Sequence, residues 1–129
     1  MSLFVEPLAV PERLVLFGAG HVAEAVARSA APCGFELVVV DERPDWNTPE
    51  RFSWARQRVV GHHGDAIGEL GLRPRDYVVI ATHNHDYDRE ILGAVLRTDA
   101  GYVGMIGSTR KVTKVLKQLR LEGHDDAQL

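Results

Sequence analysis

Apolar residues gather along this chain in short runs at 14–17, 35–40, 58–60, 77–81 and 102–106, each followed by glycine or polar residues. Runs of this length bounded by turn formers predict β-strands. The run at 77–81 is β-branched and unalternated, as in a strand buried on both faces. Between the runs the apolar period lengthens to that of a helix. Residues 21–31 carry Val22, Ala25, Val26, Ser29 and Ala30 as a packing face, and Pro32-Cys33-Gly34 stops them. Residues 65–70 read as a short helix. Residues 86–96 form another, with Ile91, Leu92, Val95 and Leu96 inward. A last helix, capped by Ser108, runs to about Leu121 with Val112, Val115, Leu116 and Leu119 on one stripe. Residues 41–49 are too rich in proline and acid for an element, and residues 50–55 read as a helical turn carrying Phe52 and Trp54. Strands separated mostly by helices predict an α/β fold. We expect a three-layer, Rossmann-like open parallel sheet of five strands, in the order 3-2-1-4-5 with right-handed crossovers.

Composition narrows this picture modestly. At 129 residues the chain makes one domain, here 13–123, preceded by a proline-punctuated lead-in at 1–12, part of it cloning-derived on this reading, and followed by a polar tail at 124–129. A net charge of -3 provides no basic field for nucleic acid. No apolar run has the length to span a bilayer and no signal peptide is visible, so no membrane partner is expected and the reading is cytoplasmic. The single cysteine, Cys33, excludes an internal disulfide and a cysteine-based zinc site.

The chemistry concentrates at the carboxyl ends of the strands. After the first comes Gly18-Ala19-Gly20-His21-Val22-Ala23, a G-x-G-x-x-A turn. Gly18 would turn the chain, Gly20 would admit a phosphate close to backbone, and the following helix N-terminus would offer free N–H groups to an anion. Asp41 ends the second strand 21 residues after Gly20, near the spacing at which an acid bonds ribose hydroxyls. In the order 3-2-1-4-5 the winding reverses between strands one and four, and ligands bind outside that switch point. Thr82-His83-Asn84-His85-Asp86-Tyr87-Asp88 and Gly107-Ser108-Thr109-Arg110-Lys111 follow strands four and five. Three of the six histidines, His21, His83 and His85, should therefore converge on one crevice beside Ser108, Arg110 and Lys111. The His83/His85 segment resembles an H-x-H-x-D-H two-metal signature, but the register fails at Tyr87 and Asp88. A single metal contact through His83 or His85 stays open, as does a plain helix cap by His85 and Asp88. His62 and His63, flanked by Gly61 and Gly64, read as solvated. Ser108 and Arg110 can meet a phosphate; alternatively Ser108 is an N-cap, with Lys111, Lys114 and Lys117 a solvated face.

Taken together, Gly18-Ala19-Gly20-His21, Asp41-Glu42-Arg43, Glu50-Arg51-Phe52, the 82–88 motif and Gly107-Ser108-Thr109-Arg110-Lys111 resemble the XdhC/CoxI family of xanthine dehydrogenase accessory proteins. The likeness is to their carboxyl-terminal Rossmann domain, over residues 13–123. It implies a cofactor-binding chaperone rather than an enzyme. Such a protein binds the molybdenum cofactor (molybdopterin, also in dinucleotide form), assists its sulfuration with a cysteine desulfurase, and delivers it to an apo molybdenum hydroxylase of xanthine dehydrogenase type. The implied cofactor contacts are Gly18, Ala19, Gly20, His21, Val22, Asp41, Arg43, Thr82, His83, His85, Gly107, Ser108, Arg110 and Lys111. The glycine turn and Arg110 would hold phosphate, with His21, His83 and His85 near the pterin or metal. Members of the family commonly have a further amino-terminal domain and another strand, so the chain reads as a fragment, a stand-alone module or half of a split system. An open sheet edge would be covered by a homodimer. The competing reading is an NAD-binding oxidoreductase or a nucleotide-sensing module, with Asp41 on the ribose.

Overall fold

The strands form where the apolar runs fall. In a computed structural model, which describes Leu3 and residues 11–123, they are β1 (Arg13–Phe17), β2 (Glu36–Val40), β3 (Ala55–Val59), β4 (Asp76–Ile80) and β5 (Tyr102–Met105). The helices are α1 (His21–Ala30), α2 (His63–Leu70), α3 (His85–Val95) and α4 (Thr109–Leu121), with a 3₁₀ turn at Ala31–Cys33 after α1. All strand pairings are parallel and the order is β3-β2-β1-β4-β5, as expected. Most of the lead-in and all of the tail lie outside the described residues. None of the described helices is long and apolar enough to cross a membrane.

Period-two side chains divide the core between the two faces of the sheet. Val15, Phe17, Val38, Val40, Val78 and Ile80 pack under α2, α3 and α4, which bring Ile67, Ile91, Val95 and Leu119. On the opposite face Leu14, Leu16, Leu37 and Val39 meet Ala23 and Ala27 of α1 together with Phe52. The face of α1 is therefore Ala23 and Ala27, flanked by Val26 and Ala30; Val22, Ala25 and Ser29 are not among the residues it buries. Small side chains win the interface because they let the helix axis approach the sheet, whereas hydrophobicity alone favours the larger Val22. A second expectation also fails. β4 is buried on its α3 side but Tyr77 and Val79 are half-buried on the other, because α1 covers β1 and β2 and no described helix covers β4 and β5 there.

Two boundaries move. β3 begins at Ala55 rather than at 58, and its middle residues Arg56, Gln57 and Arg58 are polar. It is an edge strand, where charge discourages further pairing, so hydrophobicity marks it poorly. The predicted turn is present before it, with the Phe52 N–H bonded to the Thr48 carbonyl at 3.1 Å. α2 starts two residues early, at His63.

Candidate site at the strand carboxyl ends

The turn after β1 sets the geometry. Gly18 sits at φ +123°, and a Cβ placed on it would run into the Ala81 carbonyl, whose carbon is 2.7 Å away. Gly18 thus does more than turn the chain: it lets β1 and the end of β4 approach backbone to backbone. Gly20 has ordinary φ, and a Cβ there would meet nothing within 4 Å. It is the N-cap of α1 and offers no side chain to the N–H groups of the first turn. The other three helices are capped from within. His62 Nδ1 accepts from the Gly64 N–H, Asn84 Oδ1 from the N–H groups of Asp86 and Tyr87, and Ser108 Oγ from the Lys111 N–H. These caps correct two expectations. Asn84, not His85 or Asp88, caps α3, and the His62 cap is why α2 begins early.

Asp41 stands where the spacing placed it, but it faces inward. Its carboxylate accepts from the Ala19 N–H (2.9 Å) and from the backbone N–H, Nε and Nη2 of Arg43 (2.8, 3.0 and 2.8 Å). Burial raises the pKa of this carboxyl, while the bonds from Arg43 and Ala19 lower it and prevail. Because the folded-state pKa lies below the unfolded one, the stabilisation is complete above the ordinary carboxylate value of about 3.9 and disappears as pH falls through the folded value. Acid titration of the parent against Asp41→Asn should therefore show the parent's advantage at pH 7 closing below about pH 4. An advantage that did not change with pH would place the effect elsewhere.

Arg51 is absent from the contacts that the family resemblance implies, yet it is hydrogen-bonded directly into the turn. Its guanidinium bonds the carbonyls of Ala19, Gly20 (3.3 Å) and Trp46 (2.5 Å) and the Glu24 carboxylate (3.0 Å). The guanidinium carbons of Arg51 and Arg43 lie 5.2 and 4.9 Å from the centre of the Trp46 ring, which meets the His21 ring in a T-shaped contact at 5.6 Å. The signal for Arg51 is its E-R-F motif, but nothing in a loop sequence tells which carbonyls an arginine will reach.

The motifs after β4 and β5 lock onto each other. Asp88 is fully buried; its Oδ1 accepts from the Thr82 N–H (3.1 Å) and hydroxyl (2.6 Å), while its Oδ2 pairs with Lys111 Nζ. Thr82 and Lys111 are thereby engaged inside the protein. Lys111 is not part of a solvated face, unlike Lys114 and Lys117, which are exposed. Ser108, Arg110, Gly107 and His21 are exposed at the surface, as is His85.

A shallow recess, open to solvent, lies at the switch point between Gly18, Asp41, Glu42, His63, Thr82, His83 and Tyr87. The three histidines do not meet in it. His83 lines it, His21 stands against Trp46 on the glycine side, and His85 lines a separate groove between α3 and α4 with Arg89, Lys114 and Gln118. His63, expected in solvent, is instead 9% exposed and forms part of the wall. Burial and the neighbouring His62 lower its pKa, against the opposing pull of Glu90. The Tyr87 hydroxyl is raised above its usual pKa by its hydrogen bond to Glu42. Neither His83 nor His85 joins two other potential metal ligands among the described residues.

Residues 14–129 match the family model described as the XdhC Rossmann domain. The chain is 39% identical over 124 residues to the uncharacterized protein YqeB of Escherichia coli, across 95% of this chain and 23% of that protein. It is 30% identical over 115 residues to a Bacillus subtilis protein named as a probable xanthine dehydrogenase subunit, across 89% and 35% of the two. A crystal structure of a xanthine dehydrogenase from Bacillus halodurans is similar with a TM-score of 0.77 at 34% identity, covering 83% of this chain and 32% of that one. The chain spans about a quarter to a third of the length of these relatives.

Proposed function

The chain belongs to the XdhC Rossmann-domain family, and from that premise we propose that it binds the molybdenum cofactor as an accessory protein in the maturation of a xanthine dehydrogenase-type hydroxylase. The observation that carries this reading is the α1 terminus. Among the four described α-helices it alone has no side-chain cap, and a Cβ on Gly20 would meet no other atom within 4 Å. A helix start with free N–H groups and a positive dipole end suits a phosphate. The donor set fits the phosphate end of the cofactor, which the N–H groups of His21, Val22 and Ala23 and the exposed Arg110 would hold. His83, at the recess, would stand near the pterin. The cofactor itself supplies a metal-bearing dithiolene; this chain's residues bind it and leave it accessible. The recess is shallow and open to solvent, too small to enclose a cofactor, so the cargo would lie along the strand ends, where a cysteine desulfurase and the apo-hydroxylase could reach it.

The Asp41 geometry argues against the dinucleotide-enzyme reading. Its carboxylate already accepts four hydrogen bonds, about its full capacity, and so has none left for a ribose.

The test is a thermal-shift titration of the chain with isolated molybdenum cofactor, NAD, NADP, GTP and CTP. A ligand of the native state at a hundred times its dissociation constant stabilises by about 2.7 kcal/mol. Stabilisation by molybdenum cofactor above the nucleotides is expected, and Gly20→Asp should abolish it. An aspartate at that N-cap fits sterically and stabilises a helix start, while its carboxylate occupies the anion seat. Arg110→Ala and His83→Ala, both at exposed positions, should weaken binding without changing the melting temperature of the free protein. Full binding by Gly20→Asp would remove the phosphate seat, and stabilisation by NAD alone would move the function to a dinucleotide enzyme or sensor.

A further inference from the structure

The segment Gly61-His62-His63-Gly64 is given no cofactor contact, although His63 lines the recess, and it places two imidazoles at the start of α2, against α3. Their rings are 4.1 Å apart, and His63 Nε2 is 3.0 Å from Oε2 of Glu90 on α3. One potential ligand atom from each of His62, His63 and Glu90 lies within 4.8 Å of the other two. We propose that these three residues bind one divalent transition-metal cation of the zinc class.

Donor chemistry selects that class. Two imidazole nitrogens and one carboxylate oxygen suit zinc, cobalt, nickel or copper, whereas calcium and magnesium take oxygen ligands. Distance is compatible with it. Ligand bonds of 2.0–2.2 Å at tetrahedral angles put neighbouring donors about 3.3 Å apart, so the present His63–Glu90 separation needs to open by a few tenths of an ångström. The cation would take the place of the proton that now joins those two groups. His62 Nδ1, which now accepts from the Gly64 N–H at 3.1 Å, would exchange that bond for the metal, or the ring would turn to present Nε2. Both adjusting partners are free to move: His62 is exposed and the Glu90 side chain is 48% exposed, while His63 is held in place by burial and by the Tyr87 ring 5.1 Å away. Three protein ligands leave a fourth position for water or another donor. The site would also tie α2 to α3, so loading it should stabilise the fold.

Although His63 also lines the recess, the metal proposal is tested without the cofactor and stands or falls separately. The full chain, freed of metal with a chelator, would be titrated calorimetrically with zinc chloride and followed spectroscopically with cobalt chloride. The expected result is one equivalent bound, intense visible cobalt bands of a four- or five-coordinate site, and a higher melting temperature. Glu90→Gln and His62→Ala, both at exposed positions, should fold and should each weaken binding at least tenfold. His83→Ala/His85→Ala should bind as the parent does. Absence of stoichiometric binding, parental affinity in either Glu90→Gln or His62→Ala, or loss of the metal in His83→Ala/His85→Ala would overturn the assignment.

Discussion

Gly18→Ala is expected to destabilise the fold by about 3 kcal/mol or more, a large fraction of a typical domain's total stability. Two effects add. A non-glycine residue at φ +123° costs on the order of 1–3 kcal/mol. The new methyl group also overlaps the Ala81 carbonyl, which cannot yield because the neighbouring Ala81 N–H is bonded to Phe17 O at 2.9 Å. Relief would require β1 and β4 to separate at the level of the site. Urea denaturation followed by circular dichroism would measure the loss. Gly20→Ala is the internal comparison: its methyl meets open space, and its effect should stay within about 1 kcal/mol. Equal stability of the two variants would mean that the close approach of β1 to Ala81 is not a constraint on the fold.

Arg13→Met should be the other large loss, about 3–5 kcal/mol at pH 7, because it strands a buried charge. Asp76 opens β4 and is wholly buried; Arg13, at the start of β1, bonds both of its oxygens at 2.8 Å and also reaches the Leu70 carbonyl at 2.9 Å. Burial raises the Asp76 pKa, while Arg13 and the Arg73 N–H lower it further, so the net value is below normal. The parent therefore keeps this stabilisation above the ordinary carboxylate value and loses it as pH falls through the folded value. In the variant burial is no longer answered by Arg13, Asp76 takes up a proton more readily in the folded state, and the deficit should narrow as pH falls toward about 4. Denaturation of both proteins at pH 7 and at pH 4 measures this. A deficit equally large at both values would show that lost packing, not an unpaired charge, is responsible.

The two pairs of opposite charge that matter most to this fold, Arg13 with Asp76 and Lys111 with Asp88, join residues 63 and 23 positions apart. Neither could be inferred from composition or spacing, since any of the 15 basic residues could have answered either acid. The same limit applies to Arg51 and His63. Their motifs are visible, but which carbonyls Arg51 meets depends on how the 14-residue connection between β2 and β3 folds back across the glycine turn, and which carboxylate His63 meets depends on how α2 packs on α3. Such side chains are placed by contacts distant in sequence, and no local period encodes them.

What local pattern does encode held well. Unbroken apolar runs can be buried only inside a sheet covered by helices, the helical spacing of the intervening residues supplies that cover, and short connections with right-handed crossovers leave few orders of strands. The order 3-2-1-4-5 and the cap at Ser108 follow from those rules applied to residues near one another in the chain. The register of α1, the half-open face of β4, the inward turn of Asp41 and the burial of His63 do not. Each is a competition among groups from separate elements for the same space or the same hydrogen bond, and its outcome exists only once the chain has packed.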